Sequence, residues 1–366
     1  MALTRAQKYL EAPRLPVELL TEIAKLAPKS SLWALCRTSR VFHELTVREL
    51  YRYVTIHCTG VNDADTKDLV CRAQKWCQTV MDKPDKAAFV ESVTISELPS
   101  DLIEYDPAQA FELIALLKRA FKILPNLESL DVDCSLNPLS GSLGILDALR
   151  VPSLRTFRIE MDSDNDPTLI DFLSKHPRLK NIELMIDGFD DAELEEELTL
   201  PELERFTAPF TYWEALRPNP NLRFAGVHQD RFRDLDYNPF DVMHPLGKFT
   251  GVKSVWILIP SESTLPYLND LKEELPMLEQ LSVEFSNWND RGEAVTTSLS
   301  VATCLAHFKS LKYVSVEADN WNHKITQNTA MTLAEESSKH CDTLLRARFG
   351  QWNLKRDRPS GMWRIV

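Results

Sequence analysis

The pattern Pro-x-Leu-x-x-apolar-x-apolar occurs six times in this 366-residue chain, starting at Pro125, Pro152, Pro177, Pro201, Pro220 and Pro276. Three other segments keep the apolar spacing without the proline (Val252, Val255, Ile257; Leu311, Val314, Val316; Leu344, Ala347, Phe349), and Val90, Val93, Ile95 is an earlier one. Successive first positions from Leu127 lie 27, 25, 24, 19, 30, 26, 33 and 33 residues apart, an irregular array rather than a fixed-length one. The apolar-x-apolar ending is the period of a strand with one buried face. Between the strands lie helical stripes: Leu69, Ala73, Trp76 and Val80; Phe111, Ile114, Leu117 and Phe121; Leu265, Leu268, Leu271 and Leu275. Proline fixes φ, lacks an amide hydrogen and pushes its predecessor out of the α region, so it marks where helix gives way to strand. A strand, a helix and a further parallel strand, none able to bury its own apolar face alone, describe a stacked solenoid.

The strand motif resembles that of leucine-rich repeats, without the asparagine ladder of regular ones. The resemblance implies an α/β horseshoe whose strands line the concave face. The competing fold is a doubly wound α/β sheet, whose strands are buried on both faces and read as continuous apolar runs. Here polar residues interrupt the strands, as Asp131 and Asp133 do beside Leu130 and Val132, which favours a sheet with one exposed face.

The amino-terminal segment is chemically distinct. Residues 1–52 hold 9 basic and 5 acidic residues, whereas the remainder carries −16 of the net −12. Pro16 suits a first helical position, Glu18 and Glu22 suit the positive end of that helix, and Leu19, Leu20, Ile23 and Leu26 form its stripe. Pro28 ends it, Ser30 or Ser31 is expected to cap a second helix bearing Leu32, Leu35 and Cys36, and a third runs through Phe42 and Leu45 to about Leu50. So small a unit needs a partner or a packed neighbour. The residues Leu15, Pro16, Glu18, Leu19, Leu20 and Ile23, then Leu32, Leu35, Ser39, Arg40, Phe42, Leu45, Leu50 and Tyr51, resemble an F-box. The whole chain looks like a fungal-type F-box protein with irregular leucine-rich repeats. The fold class expected is therefore α/β: a small all-α three-helix F-box module at 13–52, an irregular leucine-rich-repeat horseshoe solenoid at 53–350, and a tail at 351–366 covering the last repeat.

The resemblance implies docking to the Skp-family adaptor and cullin-RING ligase core through Leu15, Pro16, Leu19, Leu20, Ile23, Leu32, Leu35 and Phe42. The solenoid would hold an unknown target protein, making the chain a substrate receptor and not an enzyme. The strand alternation points Asp131, Asp133, Arg158, Glu160, Glu183, Trp256, Glu284, Tyr313 and Glu317 outward as target-binding candidates. Aromatic anchors beside carboxylates suit protein recognition. This surface reads as acidic and poor in basic residues, which disfavours phosphorylated segments, since those are clamped by Arg clusters. A repeat scaffold or inhibitor outside any ligase would share the horseshoe. A hydrolase or transferase would instead need polar residues converging at strand ends.

Other chemistry finds little footing. The 10 glycines include no G-x-G-x-x-G or Walker arrangement. The 7 cysteines are an odd number without C-x-x-C and read as reduced, mostly buried thiols. The 8 histidines show no ligand spacing. Asp162-Ser163-Asp164-Asn165-Asp166 imitates a calcium loop but continues with Pro167 where glycine is required and Leu173 where glutamate is. No cofactor, metal, nucleic-acid or membrane partner is expected, and the absence of a signal or spanning segment implies the cytoplasm or nucleus. The acidic run from Asp187 to Glu204 reads as a solvated helix with Leu194 and Leu198 inward, or as a docking patch for a basic partner.

Overall fold

A computed structural model describes residues 15–57, 63–96, 107–134, 146, 149–162, 166–187, 197–228, 243–260, 264–286, 291–318, 325–358 and 360–366. Three helices lead: α1 (Val17–Leu26), α2 (Lys29–Cys36) and α3 (Arg40–Arg52). Pro16 stands one residue outside α1, where its carbonyl accepts from the Leu20 amide at 3.1 Å. Ser30 and Ser31, the expected caps, lie inside α2. Pro28, with φ −64°, starts that helix without a side-chain cap. Ser39 does cap α3, its hydroxyl accepting from the Phe42 amide at 3.2 Å. Ala24, Leu32 and Thr46 are buried between the three helices.

The α3 helix runs directly into β1 (Tyr53–His57). There follow α4 (Asp63–Asp82), α5 (Pro84–Ala87), β2 (Ser92–Ser96), α6 (Pro107–Phe121), β3 (Ser129–Cys134), β4 (Thr156–Asp162), α7 (Asp166–Lys175) and β5 (Asn181–Asp187). Next come β6 (Arg205–Pro209), α8 (Phe210–Ala215), β7 (Phe224–His228), a 3-10 turn (His244–Lys248) and β8 (Ser254–Pro260). The last part holds α9 (Thr264–Glu274), β9 (Gln280–Ser286), α10 (Arg291–Cys304), β10 (Tyr313–Ala318), α11 (Gln327–His340), β11 (Arg346–Phe349), β12 (Trp352–Arg356) and β13 (Trp363–Ile365).

The 13 strands form one open sheet in strict chain order. Strands β1 to β11 are parallel, and β12 and β13 return antiparallel as a terminal hairpin. Sequential order leaves no topological switch point, so the chain is an α/β solenoid and not a doubly wound sheet. Register stacks like on like: Val93, Leu130, Phe157, Ile182, Phe206, Ala225 and Val255 form one buried row, and Ile95, Val132, Ile159 and Leu184 open a second. The leading positions of the repeat, from Val90 and Leu127 to Leu344, form a third row that is 3% exposed at most. These rows and the inward helix faces make one continuous core. Burial on that scale is what holds a solenoid together, because each unit contacts only its neighbours.

Each repeat proline sits in a turn, four residues before its strand, not at the strand's first residue. The polar residue just before the leading apolar position, which follows the proline where there is one, frequently ties the turn to the preceding unit. Asn126 donates to the Ala88 carbonyl at 2.7 Å, Ser153 to that of Pro125 at 3.0 Å, Asn221 to that of Pro201 at 2.9 Å, and Thr343 to that of Leu311 at 2.7 Å. These mixed side chains do the work of a regular asparagine ladder.

Several expectations are corrected. Strand β1 lacks the turn lead because α3 replaces it, and β12 and β13 carry no repeat motif. Phe111 is exposed, and Leu113 takes the inward position. The 19-residue interval between Leu203 and Leu222 leaves room only for the six-residue α8. That short helix compensates with large rings: buried Trp213 meets Phe206 at 4.8 Å and Phe249 at 5.5 Å.

Candidate functional site

Two surfaces carry the sequence-predicted residues. On the amino-terminal helices Leu15 is 54% exposed, Leu19 51%, Ile23 43%, Leu26 83% and Trp33 66%, with Val17 and Val41 also open. Among the described residues, eight of the fifteen exposed large apolar side chains fall between Leu15 and Tyr53. The cause lies in α1 itself, which turns Ala24 inward and leaves its leucine stripe outside. The eight predicted adaptor residues therefore divide. Leu15, Pro16, Leu19 and Ile23 are exposed, while Leu20, Leu35 and Phe42 are half-buried. Leu32, at 3% exposed, is a core residue of the module and not a contact.

The second surface is the sheet face opposite the helices. Register brings the predicted residues into cross-strand rows: Arg158 between Asp131 and Glu183, Asp133 beside Glu160, Trp256 beside Ser282, and Glu284 beside Glu317. Arg158 Nη2 lies 3.5 Å from Glu160, and its Nε lies 3.3 Å from Glu183 as an ion pair angled too poorly for a hydrogen bond. The Trp256 indole donates to Glu284 at 3.1 Å. Glu317 accepts from Ser315 at 2.7 Å and pairs with Arg348 at 3.1 Å. Tyr313 is half-buried, directly opposite Arg346. Burial raises the Asp131 carboxyl above its usual range against the pull of Arg158.

Contrary to the expectation from strand alternation, this face is not poor in basic groups. Arg205, stacked 4.1 Å over the Phe224 ring, and Arg346, Arg348 and Lys355 lie on it too. Arg346, Arg348 and Lys355 were missed because β11 departs from the proline-led repeat and β12 lies outside it, whereas Arg205 belongs to the Pro201-led copy. His228 was missed as well. Strand β6 pairs with β5 over three residues only, and His228 reaches past it so that Nε2 lies 2.5 Å from the Leu184 carbonyl.

A further row went unread in the sequence: the residue just ahead of every parallel strand but β11 is charged, namely Arg52, Glu91, Glu128, Arg155, Lys180, Glu204, Arg223, Lys253, Glu279 and Lys312, with Leu345 ahead of β11. Backbone amides in this row donate from one unit to the carbonyl of the preceding one. Arg52 pairs with Glu91 at 2.6 Å, Lys180 with Glu204 at 2.7 Å, and Glu279 with both Lys253 and Lys312.

Of the acidic run, residues 188–196 lie outside the described residues. Its remaining paired carboxylates are held internally: Glu197 by Arg217, Glu202 by Arg155 and Arg178, and Glu204 by Lys180. Residues 163–165 of the calcium-like segment also lie outside the description. Among the described residues no His, Cys, Asp and Glu group could hold a metal ion, and no helix is long and apolar enough to cross a membrane.

No protein-family model and no curated protein matches the chain. Among solved structures it is similar to that of the Rad7 and Elc1 complex in yeast, at 12% identity and a TM-score of 0.41, covering 93% of this chain and 89% of that one. It is also similar to a Bacteroides fragilis protein, at 15% identity and a TM-score of 0.39, covering 81% and 73%. At these scores neither similarity bears on function.

Proposed function

We propose that the chain is a substrate-receptor subunit of a cullin-RING ubiquitin ligase: α1 and α2 dock the Skp-family adaptor, and the open sheet face holds a target protein. The observation that carries this reading is the concentration of exposed apolar side chains on one small helical module, while the other apolar side chains among the described residues are largely buried. An exposed stripe of leucine, isoleucine and tryptophan is costly in water and marks an interface. Catalysis belongs to other subunits in this reading. The receptor's contribution is positional, since tethering the target turns a bimolecular encounter into an effectively intramolecular one.

The test is co-purification of the adaptor with the full chain. Leu15→Asp, and Pro16→Ala combined with Leu19→Ala, alter exposed positions and leave the module's buried residues Ala24 and Leu32 in place. Removing a central apolar anchor costs about 2 kcal/mol, roughly 30-fold in affinity. Adaptor binding is expected to fall by that factor while thermal unfolding stays as in the wild type. Retained binding in both variants would defeat the docking assignment and leave a repeat scaffold acting outside the ligase.

A further inference from the structure

The sheet edge at which the parallel strands begin bounds a groove of about 760 Å³ near the carboxy-terminal end of the solenoid. Its cationic side chains are Lys253, Lys309, Lys312, Arg356 and Arg358. Against these five stand two carboxylates, Glu279 and Asp342, in a chain of net charge −12. Glu279 is already engaged: Lys253 at 2.8 Å and Lys312 at 2.6 Å hold its carboxyl down at about 2. Lys309 and Arg358 are exposed and make no ion pair among the described residues.

An adjoining hollow of about 900 Å³ shares Lys312 and Leu345 with the groove and adds Arg346 and Lys355. Those two face each other in register across β11 and β12. Like charges directly opposite in a sheet are destabilising, and neither has a carboxylate partner among the described residues. Lys309, Arg346, Lys355 and Arg358 thus stand together, without a carboxylate partner among the described residues, near the carboxy-terminal end of a chain of net charge −12, an arrangement that draws in an anion.

We propose that this groove binds an acidic segment of a partner polypeptide, its negative charge supplied by carboxylates or by phosphoryl groups. Arg and Lys side chains serve both through charge-assisted hydrogen bonds. A polypeptide fits the lining better than a nucleic acid does. Glu279 and Asp342 interrupt the positive surface that a phosphate backbone would track, among the described residues no aromatic ring lines the groove and the adjoining hollow offers only the half-buried Tyr313 for a base to stack on, and the exposed Met277 offers an apolar contact. The groove's occupant does not depend on whether α1 docks an adaptor, so this proposal and the adaptor-docking reading fail separately, while Arg346 and Lys355 also belong to the sheet face assigned to a target.

Fluorescence anisotropy on the full chain tests the assignment with three labelled probes: a short peptide of alternating Glu and Ser, the same peptide with its serines phosphorylated, and an oligothymidylate of matching charge. At least one peptide is expected to bind, with affinity falling as salt rises. Lys309→Glu combined with Arg358→Glu should weaken that binding about tenfold or more, and so should Arg346→Glu separately. Lys122→Glu, exposed and remote, should leave it unchanged. Binding of the phosphorylated peptide alone assigns the charge to phosphoryl groups, and comparable binding of both assigns it to carboxylates. The proposal is overturned if neither peptide binds, if the reversed variants bind as the wild type does, or if the oligonucleotide binds more tightly than both peptides.

Discussion

The buried His176 shows how one side chain couples this fold to pH. Its ring packs against Phe172 at 4.3 Å, Nδ1 lies 2.8 Å from the Phe172 carbonyl, and the Val151 amide points at Nε2 from 3.4 Å. An amide donor at Nε2 requires an unprotonated nitrogen there, so the folded ring is neutral with its hydrogen on Nδ1. Burial depresses its pKa below the usual 6.5, and the nearby Lys175 adds to the shift. The sign follows from linkage: below about pH 6.5 the unfolded chain takes up a proton that the folded ring refuses, so this group's contribution is lost as pH falls toward the depressed value. Urea unfolding at about pH 7.5 and about pH 5.5 should show wild type losing more stability on acidification than His176→Gln does. Equal losses would mean that the ring is not held neutral. Nothing in the sequence distinguished His176 from the other histidines, because the Val151 amide that faces its Nε2 comes from the preceding unit, 25 residues away.

At the scale of elements, the strands were legible and the connections between units were not. Leu127 to Val132 and its counterparts announce themselves because one strand face must be buried and the other wet. The charged row from Arg52 to Lys312 and the turn ties of Asn126 and Asn221 are cross-unit relations, and irregular spacing hides them. Strand β1 escaped notice because a helix replaces its turn, and β12 because a hairpin needs only a local reversal and not a repeat. The amino-terminal stripe was legible as a helix face, but Leu32 was misplaced because periodicity alone does not say which of two apolar faces stays outside. Asn219 makes the cross-unit ties testable. Its amide donates to the Leu200 carbonyl at 2.6 Å and the Leu203 carbonyl at 3.2 Å, while its Oδ1 accepts from the Asn221 amide at 2.8 Å. Asn219→Ala leaves these buried backbone groups unsatisfied and should cost about 1–3 kcal/mol. Asn221→Ala removes one exposed bond and should cost about 0.5–1.5 kcal/mol. A urea denaturation series ranks the two, and a smaller loss for Asn219→Ala would show that the turn tie is dispensable.

For the whole molecule, the consequence of strict strand order is that stability is transmitted only between neighbours. The amino-terminal helices stand at one end of the sheet and the β12–β13 hairpin closes the other. The hairpin buries Leu354 and Trp363 against the last unit, and the Trp352 indole donates to the Ile325 carbonyl at 2.9 Å. Removing residues 351–366 would take away that burial, about 1.5–3 kcal/mol for each of the two large side chains, and would bare the backbone edge of β11. An exposed parallel edge invites pairing with another chain, so the truncated protein should associate as its concentration rises. A globally cooperative domain would loosen everywhere on such a loss, whereas a nearest-neighbour array should loosen only near the cut. Amide hydrogen exchange on the truncated chain should therefore accelerate in β9, β10 and β11 and remain at the wild-type rate in β2, β3 and β4. Uniform acceleration across all of these strands would refute the one-dimensional coupling that the sheet order implies.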